Sequence, residues 1–279
     1  MIRGIYLFEN ESNDFKNIQK EIKFLTNSDN RLKILHCLLK SPQTLKEIHE
    51  KTGLNNSSIS INVSTLESNG YVVNKNGMFY LTNTSKLILT NIFYFNRSVN
   101  FLDNNANFFN MHKLDNLKFN ALKDISSLES LKLVESTPFD IFKTVKLYKE
   151  FGFGSKYIRT IFPFMYPRIN EIFEDWFEND VEIKLILDKE VSDAFTKSFN
   201  NYKFDKESDS KISVKTMEKG LDFTLFITDE VIILGFYKND GKFDQNAVYI
   251  SKEKEAILWG LDIFEEYENL APEYIYLKE

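Results

Sequence analysis

Between residues 28 and 82 the breakers of regular structure stand so close together that only short helices and one tight hairpin fit. Ser28-Asp29-Asn30 precedes Leu32, Ile34, Leu35, Leu38 and Leu39, a spacing that predicts one apolar helical face behind a polar N-cap. Ser41-Pro42-Gln43 stops that helix. Thr44 opens the next, with Glu47 three residues on in the pattern of a capping box, and Gly53 supplies a left-handed C-cap. A third helix starts near Asn56-Ser57-Ser58, turns Ile59, Val63 and Leu66 inward, and stops at Asn69-Gly70. Tyr71-Val72-Val73, the turn Asn74-Lys75-Asn76-Gly77, and Met78-Phe79-Tyr80-Leu81 predict a hairpin.

Helix, helix, Gly-turn, helix, hairpin is the order of a winged helix-turn-helix. The stretches "RLKILHCLL", "TLKEIHEKTGL", "SSISINVSTLESNGYV" and "GMFYLT" resemble the winged-helix domain of ArsR-type and MarR-type regulators over about residues 28–82. Charge agrees with a polyanionic partner: residues 15–90 carry ten Lys and Arg against five Asp and Glu, in a chain of net charge -6. The third helix itself has no Lys or Arg. Base reading would then rest on Asn56, Ser57, Ser58, Ser60, Ile61 and Asn62, a set that suits an A/T-rich double-stranded operator. Phosphate contacts would come from Arg31, Lys46, Lys51 and the wing residue Lys75. Asn56 or Ser57 could equally serve as helix caps.

After the hairpin, Ile88, Ile92, Phe95, Val99, Leu102, Ala106 and Phe109 follow a 4-3 spacing, the seam of a heptad helix. Leu87, Tyr94, Phe101 and Phe108 make a second apolar stripe. One stripe can pack on its own domain and the other on a second copy, so a homodimer is expected through this helix. A single helix buried within its own domain is the competing reading.

From about residue 129 the period changes, and strands mix with helices. Strands are expected at 131–134, 181–187, 212–217, 221–227 and 231–237, helices at 139–150, 167–178, 189–202 and 252–270. The fold class is therefore α+β: a winged helix at 15–83 after an arm at 1–14, a helical linker at 84–128, and a mixed α/β effector domain at 129–279. "VEIKLIL", "LGFYKNDGKFDQN" and "AILWGLDIFEEYENLA" in this last part resemble the middle domain of the archaeal methanogenesis regulatory protein family. That likeness implies a transcriptional regulator with a ligand-responsive C-terminal domain.

Other chemistry is thin. All three histidines and the only cysteine, Cys37, precede residue 129, which leaves the C-terminal stretch without an imidazole or thiol. A thiolate metal site normally takes several Cys or His ligands, so no metal is expected. Gly152-Phe153-Gly154 lacks the third glycine of a dinucleotide loop, and no cofactor is implied. One cysteine and no long apolar run suit a cytoplasmic protein off the membrane. The expected role is therefore not enzymatic, with a small effector lodged near Tyr237, Asp240, Asp244, Trp259 and Tyr267. Core packing is the competing account of Trp259, and turn chemistry that of Asp240. A protein-binding winged helix and a carboxylate enzyme remain the alternatives.

Overall fold

The computed structural model describes residues 19–20, 22–115, 117, 125–164, 169–178, 181–199, 212–218, 221–271 and 273–275. The arm at 1–14, Lys16 and the charged stretch 205–211 lie outside these residues. The chain divides into two compact units, Met1–Asn96 and Arg97–Glu279.

The first unit is a winged helix built on its caps. Helix α1 (Asp29–Lys40) begins with Ser28 Oγ accepting from Arg31 N at 3.3 Å. Strand β1 (Gln43–Thr44) leads into α2 (Leu45–Thr52), where both halves of the Thr44–Glu47 capping box form. The Thr44 N–H and hydroxyl hold the Glu47 carboxylate below the usual carboxylate range. Gly53, at φ 70°, ends α2. Helix α3 (Asn56–Ser68) follows, capped by Asn55 Oδ1 accepting from Ser58 N. Strands β2 (Val72–Lys75) and β3 (Met78–Leu81) pair with Lys75 opposite Met78, leaving a two-residue loop. In that loop Asn76 stands at φ 54° and Gly77 at φ 81°, the two left-handed positions a type I′ turn requires. The sheet order β1-β3-β2 completes the wing. Ile34, Leu35 and Leu38, Ile48, Ile59, Val63 and Leu66, Phe79 and Leu81 form one core with Leu89. Each such side chain contributes about 1.5–3 kcal/mol by leaving water.

The second unit is a three-layer α/β structure. Strands β4 (Lys132–Glu135), β5 (Tyr157–Phe162), β6 (Glu182–Asp188), β7 (Ile212–Met217), β8 (Phe223–Ile227), β9 (Ile232–Phe236), β10 (Ala247–Ser251) and β11 (Glu273–Ile275) form one sheet of order β11-β7-β6-β5-β8-β9-β10-β4. β5 and β7 each run parallel to β6 between them, and every other pairing is antiparallel. Helices α7 (Ile169–Glu178) and α8 (Lys189–Phe199) supply the crossovers that parallel strands need. With α6 (Lys143–Gly152) they cover one face through Tyr148, Phe173, Trp176 and Phe195. α9 (Lys254–Leu270) covers the other through Ala256, Trp259, Ile263, Phe264 and Tyr267. Gly152 has no room for a side chain, since a Cβ there would stand 2.0 Å from Trp176 Nε1. No helix among the described residues is long and apolar enough to cross a membrane.

Three expectations need correction. Strands β1, β5, β10 and β11 were not expected, although β5 lies in the middle of the eight-stranded sheet. The signal for β5 was present, for Tyr157-Ile-Arg-Thr-Ile-Phe162 is an aromatic and β-branched run between Gly154 and Pro163. The helix expected at 139–150 begins only at Lys143, and Phe139, Ile141 and Phe142 before it are exposed. The heptad seam does not run along one helix. Helix α4 (Asn83–Asn104) ends where Asn105 turns, and α5 (Ala106–Met111) is separate. Asn105 Nδ2 donates to Phe101 O at 2.8 Å, a local bond that competes with continued helix, and its Oδ1 accepts from the distant Tyr249 Oη at 2.6 Å. Ile88 and Ile92 pack on the winged-helix core, whereas Phe109 joins the aromatic cluster of Phe101, Phe108, Phe236 and Tyr249 in the second unit. Val99 and Ala106 are half-buried.

Candidate nucleic-acid interface

Helix α3 has two faces with opposite duties. Ile59, Val63 and Leu66 are buried, at i, i+4 and i+7. That orientation leaves Asn56, Ser57, Ser60, Ile61 and Ser64 on the exposed side, with Ile61 67% exposed. An isoleucine so far out of the core gains nothing by burial and is available for contact.

The other two expected base readers are spent inside the domain. Ser58 Oγ accepts from Asn30 Nδ2 of α1 at 2.9 Å. Asn62 Nδ2 donates back to Ser58 O at 2.8 Å, so its amide is committed to its own helix. Both side chains are half-buried. The cap of α3 is Asn55, which leaves the neighbouring Asn56 amide free of that duty.

The wing is fixed to α3 by a bond that the sequence did not signal. Glu67 Oε1 accepts from Asn74 N at 3.1 Å, and Asn74 Oδ1 accepts from Gly77 N at 2.9 Å across the turn. Glu67 lies near the C-terminal end of α3, so the bond ties that end to the strand carrying Lys75. Lys75 is exposed, its ammonium 5.7 Å from the centre of the Tyr80 ring. Lys46 is exposed in the first turn of α2 and forms only a 3.9 Å pair with Glu50, a contact worth little in water. Arg31 lays its guanidinium over Phe24, 4.6 Å from the ring centre. Lys51 donates instead to Gln43 Oε1 at 2.7 Å.

The residues expected to share an effector site do not converge. Trp259 and Tyr267 lie in the core beneath α9, with Tyr267 against Phe223 at 5.2 Å between ring centres. Tyr237 packs with Phe164 and Phe243, and those two rings join the core on the opposite face of the sheet. The alternation of β8 shows the separation, because Phe223, Leu225 and Ile227 belong to one core and Phe226 to the other. Asp240 is exposed and accepts from Lys242 N, which is turn chemistry. Asp244 is 7% exposed and holds Lys238 Nζ at 3.3 Å and His112 Nε2 at 3.1 Å. His112 Nδ1 lies 2.7 Å from Phe108 O. This buried cluster fastens the end of α5 to the β9–β10 turn, and a separation of 132 residues hid it from sequence reasoning. Burial, with Asp188 and Asp222 nearby, pushes the Tyr237 hydroxyl up to about 12, and burial raises Tyr267 as well. Among the described residues no group of three or more His, Cys, Asp and Glu could hold a metal ion.

Two family models match the chain, in the order of its two parts. Residues 19–97 match the N-terminal domain of the methanogenesis regulatory protein FilR1, and residues 141–270 match its middle domain. The methanogenesis regulatory protein FilR1 of Methanothrix harundinacea is 20% identical over 259 residues, which is 91% of this chain and 58% of that protein. The chain thus spans little more than half of that relative's length. Among solved structures, the archaeal chromatin protein TrmBL2 aligns over 92% of this chain and all of its own, at 14% identity and a TM-score of 0.41. Quinone-bound YodB from B. subtilis aligns over 28% of this chain and 88% of its own, at 22% identity and a TM-score of 0.26. Scores this low carry no argument about this chain.

The two asparagines at the start of α3 should separate cleanly in urea unfolding. Asn55→Ala removes the cap and is expected to cost about 1 kcal/mol. Asn56→Ala, exposed in the first turn, should stay within about 0.5 kcal/mol of the parent. An equal or reversed pair of costs would mean that Asn56 holds the helix end.

Proposed function

We propose that this chain is a DNA-binding transcriptional regulator, acting as a cytoplasmic homodimer whose C-terminal domain answers a small effector. The observation that carries the reading is α3, whose apolar face is spent in the core while its exposed face carries Asn56, Ser57, Ser60 and Ile61. An Asn amide can pair with the two adenine groups in the major groove, and an isoleucine methyl can meet the thymine methyl. The operator is accordingly rich in A/T. Lys75 on the wing and Lys46 on α2 reach phosphates, with Arg31 in a lesser part. The two matches to domains of one regulatory protein support the same reading.

Dimerisation uses what the winged-helix core leaves open on α4. Leu87 is 68% and Phe95 70% exposed, with Tyr94 beside them. Leu87 and Tyr94 share a face by helix geometry, and Phe95 stands between that face and the stripe of Ile88 and Ile92, which turn to the core. A helix face of this kind is a good seam for a second copy, and two copies present two recognition helices to a two-fold operator. The C-terminal domain binds its effector without transforming it. The observation that favours binding over turnover is that residues 129–279 contain neither His nor Cys.

Two experiments test this. In titrations of a labelled A/T-rich duplex, Lys75→Ala should weaken every sequence about equally and lower the salt slope by about one. Ile61→Ala should instead erase about 1 kcal/mol or more of preference at one base position. Retention of the full preference by Ile61→Ala would remove α3 from the major groove. For assembly, Leu87→Glu with Phe95→Glu should convert the dimer to a folded monomer in light scattering. A double variant of unchanged mass would exclude this face.

A further inference from the structure

The first unit contains a cleft whose lining shares with the expected DNA contacts only Lys51. It lies between α1 and the last turn of α2, has a volume of about 490 Å³, and is lined by Lys33, His36, Cys37, Lys40, Lys51 and Thr52. None of the lining residues is acidic. Among the described residues Lys33, Lys40 and Lys51 form no ion pair, whereas Lys46, outside the cleft, does. Three ammonium groups around one concavity repel each other, and a bound anion relieves that repulsion.

The rim is also held in place from within. Lys51 donates to Gln43 Oε1 at 2.7 Å, and Gln43 is itself 2% exposed, its amide donating to Ser41 O at 3.1 Å. A buried glutamine therefore fixes the position of one cation. Glu47 lies outside the lining, its carboxylate accepting from the Thr44 N–H and hydroxyl, and Lys51 is the smallest of the influences on it. The floor is softer in character. Cys37 is buried and burial pushes its thiol up; Lys51 and then Lys40 pull it down more than Glu47 pushes it up, so the field of the two lysines reaches the floor. His36 on the rim meets the Phe93 ring of α4 edge-on, with 5.1 Å between centres.

We infer that this cleft is a binding site for a small organic anion, a phosphate monoester or carboxylate with a compact apolar part. The acid group would sit among Lys33, Lys40 and Lys51, and the apolar part would lie toward Cys37 and Thr52. The volume falls in the range of small-molecule sites and exceeds what one inorganic ion needs. The site touches the first helix of the helix-turn-helix and, through His36, the helix after the wing. It stands apart from the effector role proposed for the C-terminal domain.

Isothermal titration of the full chain with phenyl phosphate tests the inference, with phenol as the uncharged control. One saturable site per chain is expected with a Kd of about 1 mM or tighter, and none for phenol. Lys33→Gln with Lys40→Gln, both exposed and away from the buried Gln43, should weaken phenyl phosphate about tenfold or more while leaving the melting temperature unchanged. At saturation the probe should slow iodoacetamide alkylation of Cys37 by about fivefold or more, which places it on the cleft floor. Absence of saturable binding, binding indifferent to the two substitutions, or a thiol equally reactive with the probe bound would each overturn the site. So would a drop of about two in the salt slope of DNA binding in the double variant, since the lysines would then be contacts to the duplex backbone.

Discussion

The burial of Ile59, Val63 and Leu66 is the interaction on which the DNA-reading account depends. These three side chains fix the rotation of α3 about its own axis, because they enter one core with α1, α2 and the wing strands. A rotation by one residue, about 100°, would bring Ser60 inward and expose a core side chain. That would cost about 2–3 kcal/mol for each aliphatic side chain lost to water. The exposed identity of Asn56, Ser57, Ser60 and Ile61 follows from that packing and needs no separate device. The polar bonds then set the ends. Asn55 caps the start of α3, Asn30 holds Ser58, and Glu67 fastens the wing to the finish.

The same distinction between local and distant causes decides how much could be read from the residues alone. Caps and turns are local, so Ser28, the Thr44–Glu47 box, Gly53 and Asn76-Gly77 all stand where the sequence placed them. The buried face of α3 was legible for the same reason. The heptad reading failed at Asn105, whose side chain bonds to Phe101 and to Tyr249, 144 residues away. Spacing alone has no access to such a partner. The effector residues failed for a related reason. Tyr237 and Trp259 are both aromatic and close in sequence, yet Tyr237 packs with Phe164 and Phe243 on one face of the sheet and Trp259 lies in the core on the other. Asp244 gave only a turn signal, while its main work is to meet His112 and Lys238.

In the C-terminal unit the sheet sets the possibilities for chemistry. β8 and β9 are buried on both faces, so their side chains build cores rather than sites. Gly235 illustrates how tight this is, since a Cβ there would stand 2.6 Å from Thr224 Oγ1 and 2.8 Å from the Phe243 ring. Arg97 links Glu129 and Glu255, fastening the start of this unit to its last helix. The proposed effector would accordingly be held at the strand ends and loops, where Tyr237 and the β9–β10 turn are found. The cationic cleft in the first unit gives the chain a second place where a metabolite could act.

The account turns on whether the α3 surface selects a DNA sequence. In vitro selection of the purified full chain from a random duplex library measures that directly. The account predicts enrichment of an A/T-rich motif in two inverted half-sites whose centres lie about one helical turn apart, or a multiple of it. Recovery of duplexes with no common motif, held only by contacts that salt abolishes equally for all, would contradict it.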